Sequence, residues 1–283
     1  MDVELRQLRV LLAIVDAGSF TDAAIELGVS QAAVSRTLAA LEQTLKVRLL
    51  HRTSRTVALT PTGAQLVPRA RRLLAEMDEL VREVTSGHAR LRVGHAWSAL
   101  GRHTAKFQRR WAELHPEVDL LMIRTNTPSG GLAEGVCDLA VVRTPPDEKH
   151  FAVSEVGLER RFIVMAADDP WARRRSIKLD EVRARTVLSD RRTGTTSADL
   201  WPTGDQPVLE DTADVDDWLA RIAAGGVVGI TPESTATQYR RAGVVFRPLR
   251  DAPPVAIRVI WPRHDPHPAT QAAVALIAES YRS

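Results

Sequence analysis

The sequence predicts an α+β chain in three parts: a small helical domain closed by a hairpin, one long helix, and an α/β domain. Three observations carry this. Between Ala17 and Glu42, two short amphipathic runs flank Gly28. From Leu66 to Val84, apolar residues recur with the 3.5-residue period of a pairing seam. From Leu91 onward, short apolar runs alternate with amphipathic ones, as strands and helices do in layered sheets.

Composition narrows the class. At 283 residues and 44% hydrophobic, the chain is long enough for two domains with real cores. A net charge of +3 is too small for a protein that coats nucleic acid and fits local basic patches instead. One cysteine, Cys137, excludes an internal disulfide framework and a cysteine zinc site, and is expected to be a small buried residue. No charged-then-apolar segment precedes the first helix and no apolar run reaches membrane length, so the expected location is cytoplasmic, without a membrane partner.

Residues 2–17 are expected to form the first helix, with Leu5, Leu8, Leu12 and Val15 on its packed face. Arg6 and Arg9 lie on other faces, toward solvent or a backbone phosphate. Thr21 is placed as the cap of a helix from Asp22 to Leu27, because a hydroxyl accepts orphan N–H groups. Gly28 stops that helix, since glycine tolerates positive φ. Ser30 caps the next one, in which Val34, Leu38, Leu41 and Leu45 form a single apolar stripe. Ser30, Gln31, Ala32, Ser35 and Arg36 are left off the stripe, on the first turns. Ala23 and Ala24 are small enough for the two helices to approach closely. A short helix, a glycine turn and a second helix with a polar N-terminal face form a helix-turn-helix suited to a DNA major groove. A merely solvated polar face is the competing reading. Arg36 and Gln31 are the expected base readers, since Arg pairs with guanine and Gln with adenine.

Arg48 to Leu59 reads as two short strands around a polar tip. From that tip Arg52, Thr53 and Arg55 can touch phosphate or an adjacent minor groove, contacts that position a protein without specifying sequence. Thr60 caps the following helix, with Pro61 in its first position. Leu66, Ala70, Leu73, Met77, Leu80 and Val84 follow at spacings of four and three, so this helix is expected to pair two subunits into a homodimer or homotetramer, with a helix packed on its own domain as the competing reading. Pro68 removes one backbone hydrogen bond and predicts a bend near residues 64–68. Ser86, Gly87 and His88 mark its end.

Residues 5–63 resemble the winged helix-turn-helix of LysR-type transcriptional regulators. The resemblance rests on Ala17-Gly18-Ser19-Phe20, Ala23-Ala24, Val29-Ser30-Gln31, Ala33-Val34-Ser35-Arg36, Leu41-Glu42, His51-Arg52, Leu59-Thr60 and Gly63. Ala32, Lys46 and Leu50 depart from it, standing where the family usually has Pro, Gly and Phe. The resemblance implies double-stranded DNA as partner, with RNA polymerase as a further one.

In the second half, strands are expected at Leu91–Gly94, Val118–Ile123, Asp138–Val142, Phe162–Ala166, Thr186–Ser189, Val227–Ile230 and Val255–Trp261. Helices are expected at Ser98–Leu114, Val215–Ala224, after Pro232 and at Pro268–Tyr281, with a short helical turn at Leu132–Gly135. Such alternation predicts parallel sheets. This half resembles the LysR-type effector domain, through Gly131-Leu132, Gly135 to Ala140 and Gly225 to Pro232. The resemblance implies a periplasmic-binding-protein-like fold with lobe one at 90–161 plus 249–283 and lobe two at 162–248. The divisions that result are a DNA-binding domain over 1–60, a linker helix over 61–88 and an effector domain over 90–283.

Ligands of open α/β sheets bind beyond the carboxyl ends of strands. Trp97 and Ser98, Asn126 and Thr127, Thr195, and Thr231 stand at such ends or in a lobe-two turn. Helix N-termini there favour an anionic small-molecule effector. Plain helix caps at Ser98 and Thr127, a core Trp97, and a simple turn at Thr193–Thr196 are the competing readings. No nucleophile elbow, phosphate-binding Gly-Lys loop or dinucleotide glycine pattern is present, so neither an enzyme nor a cofactor is expected. His264 and His267 sit in a Pro-broken stretch that reads as surface loop and not as a metal site. Asp168-Asp169 reads as a turn and Arg173-Arg174-Arg175 as a solvated run. The alternatives are a solute-binding receptor or enzyme with an accessory helical domain, and a DNA-binding regulator without a ligand.

Overall fold

The computed structural model describes residues 3–52, 57–86 and 89–282 of the chain. Two compact units result, one built mainly from residues up to Ala89 and one from Arg90–Leu132 and Cys137–Ser283.

The first unit opens with α1 (Leu5–Ala17), α2 (Phe20–Glu26) and α3 (Gln31–Leu45). Helix α1 starts at Leu5, and Glu4 supplies its capping box with Gln7. Its buried face is Leu8, Val10, Leu11, Ala13 and Ile14; Leu5, Leu12 and Val15 are only partly buried. The expected stripe is therefore rotated, because α1 touches α2, α3 and α4 on different sides and needs a wide apolar face. Ser19, not Thr21, caps α2: its Oγ accepts the Asp22 N–H at 3.0 Å, and the helix begins at Phe20. Gly28 stops α2 with φ 64°, which lets Val29 N–H reach the Ala24 carbonyl at 3.0 Å. Ser30 caps α3, accepting from Ala33 N–H at 3.2 Å. Lys46 closes α3 in the left-handed conformation, φ 56°, so the turn forms without the family's glycine.

A hairpin of β1 (Leu50–Arg52) and β2 (Val57–Leu59) follows, with Leu50 opposite Leu59 and Arg52 opposite Val57. Thr60 then caps α4 (Pro61–Ser86), accepting from Gly63 N–H and donating to the Arg48 carbonyl at 2.7 Å. The helix runs through Pro68. Its apolar stripe divides in two. Leu66 and Ala70 pack, with Val67 and Leu74, into the unit's own core, against the expectation that they belong to a subunit seam. Leu73, Met77, Leu80 and Val84 are exposed, and so is Val81.

The second unit holds two five-stranded sheets. Its elements are β3 (Ala89–His95), α5 (Thr104–Leu114), β4 (Val118–Arg124), β5 (Leu139–Val142), β6 (Phe151–Glu159), β7 (Arg161–Ala166), α6 (Leu179–Val182), β8 (Thr186–Ser189), β9 (Val208–Asp211), α7 (Val215–Ala223), β10 (Val227–Pro232), α8 (Glu233–Gln238), β11 (Val244–Pro248), β12 (Val255–Pro262) and α9 (Thr270–Arg282). The orders are β4-β3-β5-β12-β6 and β11-β7-β10-β8-β9. Phe107 and Trp111 of α5 and Ala273 and Ile277 of α9 build one core, and Trp218, Leu219 and Ile222 of α7 another. Gly94 of β3 is required by packing, since a Cβ there would meet the Gly130 carbonyl and the buried Cys137 sulfur.

The sheets are mixed, not parallel. β3–β5, β8–β10 and β8–β9 are parallel, whereas β12 is antiparallel to β5 and β6, and β7 to β10 and β11. The antiparallel strands flank the two places where the chain passes between lobes, after β6 and after β11. Strand β6 has no expected counterpart: its register to β12 skips Val156, and such a bulge breaks the alternation a sequence would show. Strands β9 and β11 are short edge strands and were equally unmarked. Leu132–Gly135 forms turns without helix. Asp169 does form a turn, accepting Trp171 N–H at 2.9 Å, but Arg174 is bound by Glu181 at 2.7 and 2.8 Å instead of lying free in solvent. Among the described residues no helix is long and apolar enough to cross a membrane, and no cluster could hold a metal ion.

Candidate nucleic-acid interface and ligand cleft

Helix α3 has two faces of opposite character. Val34, Leu38 and Leu41 are fully buried, while Ser30, Gln31, Ala32 and Arg36 are exposed and Ser35 is half-buried. The exposed side chains are those expected to meet DNA. Beneath them Glu42 is buried, accepting the N–H groups of Leu49 and Leu50 at 2.8 and 3.3 Å, with Arg48 3.6 Å from its other oxygen. The Arg52 side chain, Thr53 and Arg55 lie outside the described residues.

In the second unit a cleft, about 550 Å³ of empty space with the adjoining open solvent counted in, lies at the carboxyl ends of the strands of both sheets. Trp97, Ser98, Thr195 and Thr231 line it together, as expected. Trp97 packs edge-on against Trp218 with ring centroids 5.3 Å apart, and its Nε1 donates to Asp190 at 3.2 Å. Ser98 is buried, and its hydroxyl bonds those of Ser234 and Thr235 at 2.9 and 3.2 Å. It caps no helix: residues 101–103 form a single 3-10 turn before α5. The Thr195 carbonyl accepts from Arg161, whose burial pulls its guanidinium down to about 10. Thr231 Oγ1 is buried without a hydrogen-bond partner among the described residues.

Two expected residues stand aside. Thr127 turns inward to its own loop, accepting Gly131 N–H at 2.9 Å, and does not line the cleft. Asn126 joins the lobes beside the cleft instead, donating to the Ala213 carbonyl at 2.8 Å. The helix starts expected to attract an anion are absent at Ser98 and Thr127, and α8 beyond Thr231 has six residues. Of the three helix starts expected to attract an anion, only that of α8 is formed.

Four contributors were not foreseen. Arg143 follows β5 and Asp190 follows β8, so both obey the strand-end rule and were legible by it. Glu159, behind the cleft, pairs with Arg143 at 3.0 Å; burial pushes its carboxyl up, and the Arg143 charge and hydrogen bonds outweigh that and hold it below the usual range. Tyr281 donates to Glu159 at 2.9 Å from the last helix, and its own ionisation is pushed up by burial and by that carboxylate. No sequence spacing joins Glu159 to Tyr281.

A winged helix-turn-helix and a two-lobed α/β domain with a cleft define the class: a regulator with a reader and a ligand-binding module. Residues 5–64 match the family model described as bacterial regulatory helix-turn-helix protein, lysR family, and residues 85–282 match the LysR substrate binding domain. The chain belongs to the LysR family, whose members are transcriptional regulators and not enzymes. It is 35% identical to the small neutral protease regulatory protein of Streptomyces coelicolor over 194 residues, spanning 64% of this chain and 58% of that relative's length. It is 29% identical to the transcriptional regulator TtuA of Agrobacterium vitis, over 90% of this chain and 88% of TtuA. In fold it resembles CbnR in complex with its target DNA, with a TM-score of 0.74 at 23% identity, covering 99% of this chain and all of that one.

Proposed function

We propose that this protein binds double-stranded operator DNA as a homodimer or homotetramer and changes its arrangement on DNA when a small molecule enters the interlobe cleft. The observation that carries the reading is the face of α3, where Gln31, Ala32 and Arg36 are exposed directly over a fully buried Val34 and Leu38. In it Arg36 and Gln31 read bases, Ser30, Ala32 and Ser35 fit the groove, and Arg52, Thr53 and Arg55 of the wing hold the backbone. The DNA complex formed by CbnR supports this use of the fold. Residues 1–60 serve as reader, 61–88 as pairing helix and 90–283 as sensor, with lobes at 90–161 plus 249–283 and at 162–248. Leu73, Met77, Leu80 and Val84 form the pairing face. Trp97, Ser98, Thr195 and Thr231 contact the effector, and Asn126 holds the closed lobes. RNA polymerase contact and a cytoplasmic location follow from that role.

A ligand shifts such an equilibrium only by its preference for one arrangement. The test is a gel shift with DNA from upstream of the protein's own gene, in competition with random DNA. Retention of the specific fragment at an excess of random DNA supports the reading; equal competition by both sinks it.

A further inference from the structure

We propose that the cleft takes a small uncharged polar ligand, of the amide or polyol class, in preference to an organic anion. The proposal rests on the cleft being the effector site. Among its lining residues one side chain is basic, Arg143, and one acidic, Asp190. Both are already engaged. Arg143 faces Glu159 at 3.0 Å and donates to the Ser98 and Ala99 carbonyls, each at 2.7 Å. Asp190 accepts from Trp97 Nε1, from the Thr193 hydroxyl and from Arg192 N–H. The lining charges cancel; behind them Glu159 faces Arg143, and the buried Arg161 is spent on the Thr195 and Pro253 carbonyls. An anion entering here would give up its water without gaining an uncommitted positive charge, which is unfavourable in a low-dielectric site.

What the cleft does offer is a hydroxyl. Thr231 is 1% exposed, lines the cleft, and its Oγ1 has no partner among the described residues. The neighbouring hydroxyls are committed: Thr196 donates to the Ile230 carbonyl, Ser189 to the Thr196 carbonyl, and Ser98 pairs with Ser234. A hydroxyl both donates and accepts, so Thr231 matches the oxygen or nitrogen of a neutral amide or alcohol equally well. An unpaired buried polar group of this kind is rare in folded proteins and is satisfied when a ligand reaches it. The Trp97–Trp218 pair supplies an apolar wall for the rest of a small molecule.

The experiment is thermal unfolding of the full chain with isosteric pairs that differ in charge: nicotinamide against nicotinate, and butyramide against butyrate. The amide is expected to raise the melting temperature, by roughly 5 °C when present 100-fold above its Kd, and the carboxylate to leave it unchanged. Thr231→Val, which deletes a hydroxyl that has no partner to lose, keeps the fold and weakens amide binding about tenfold. A carboxylate that stabilises as well as its amide overturns the charge argument and leaves the cleft a ligand site. No shift from either member of any pair overturns the ligand reading itself. An amide shift that Thr231→Val does not alter removes Thr231 from recognition and overturns the proposal.

Discussion

The carboxylate of Glu42 accepts the backbone N–H of Leu49 at 2.8 Å, so the last turn of α3 holds the first strand of the wing directly. Leu50 N–H reaches the same oxygen at 3.3 Å, and both leucines are buried. Glu42 thus fixes the reading helix to the wing from one side, while Thr60 holds the same segment from the start of α4. Glu42→Ala leaves two buried donors without an acceptor, and each such donor costs about 1–3 kcal/mol. A loss of about 3 kcal/mol in urea unfolding is expected, with a smaller loss for Glu42→Gln, which keeps an acceptor oxygen. Arg48 adds little, because it is an exposed partner at 3.6 Å. Equal losses for Ala and Gln would show that charge, not the acceptor, carries the effect.

Lys46 occupies the left-handed region at φ 56°, the conformation in which a Cβ crowds the following carbonyl. Lys46→Gly relieves that crowding and should raise stability by about 1 kcal/mol, read as a higher urea midpoint with an unchanged slope. A fall in stability would mean that the aliphatic stem of Lys46 packs usefully across the turn.

The reader half was legible because its signals are local. Gly28, Ser30 and the stripe of Val34, Leu38 and Leu41 act within a few residues of one another, and each stands where the spacing placed it. Ser19 displaced Thr21 as cap because the two hydroxyl residues on either side of Phe20 offer the same chemistry, and backbone geometry chooses between them. Leu66 and Ala70 continue the heptad spacing of Leu73 and Met77, yet only tertiary contact separates core from exposed face. The cleft was half legible. Trp97, Ser98 and Thr231 follow from strand ends, while the coupling of Arg143 to Glu159 and of Glu159 to Tyr281 joins residues far apart in sequence through a bulged strand that no period marks.

His95 ends β3 buried, and burial pushes its imidazole from 6.5 down to about 4, against a backbone interaction with Ala96. The unfolded chain takes up a proton near pH 6.5 and the folded chain only near pH 4, so in that window the unfolded state binds more protons and stability falls as pH falls. The contribution is fully present above pH 6.5, and about 3 kcal/mol is lost on the way down to pH 4. His95→Leu should flatten this limb by about one proton in urea midpoints followed from neutral to acid pH. An unchanged slope would place the acid sensitivity elsewhere.

If Arg36 reads guanine, Arg36→Ala weakens specific binding by about 1–3 kcal/mol and relaxes preference at one base pair, with random DNA bound as before. Its exposure on α3 makes a folding cost small, so circular dichroism should be unchanged. Equal weakening on operator and random DNA would turn Arg36 into a phosphate contact.

The exposed apolar face of α4 can be separated from its core face within one helix. Leu80 is 55% exposed and Leu74 is 6% exposed. If Leu73, Met77, Leu80 and Val84 pair two copies, Leu80→Lys buries a charge only in the assembly, where an unpaired charge is costly. The chain should then fold normally by circular dichroism and sediment as a monomer at concentrations where the parent is a dimer or tetramer. Operator affinity should drop with it, because each reader then binds a half-site alone. Leu74→Lys instead destabilises the unit itself, since its side chain belongs to the helical core. A Leu80→Lys protein that keeps both its oligomeric state and its operator affinity would move the subunit contact off this helix.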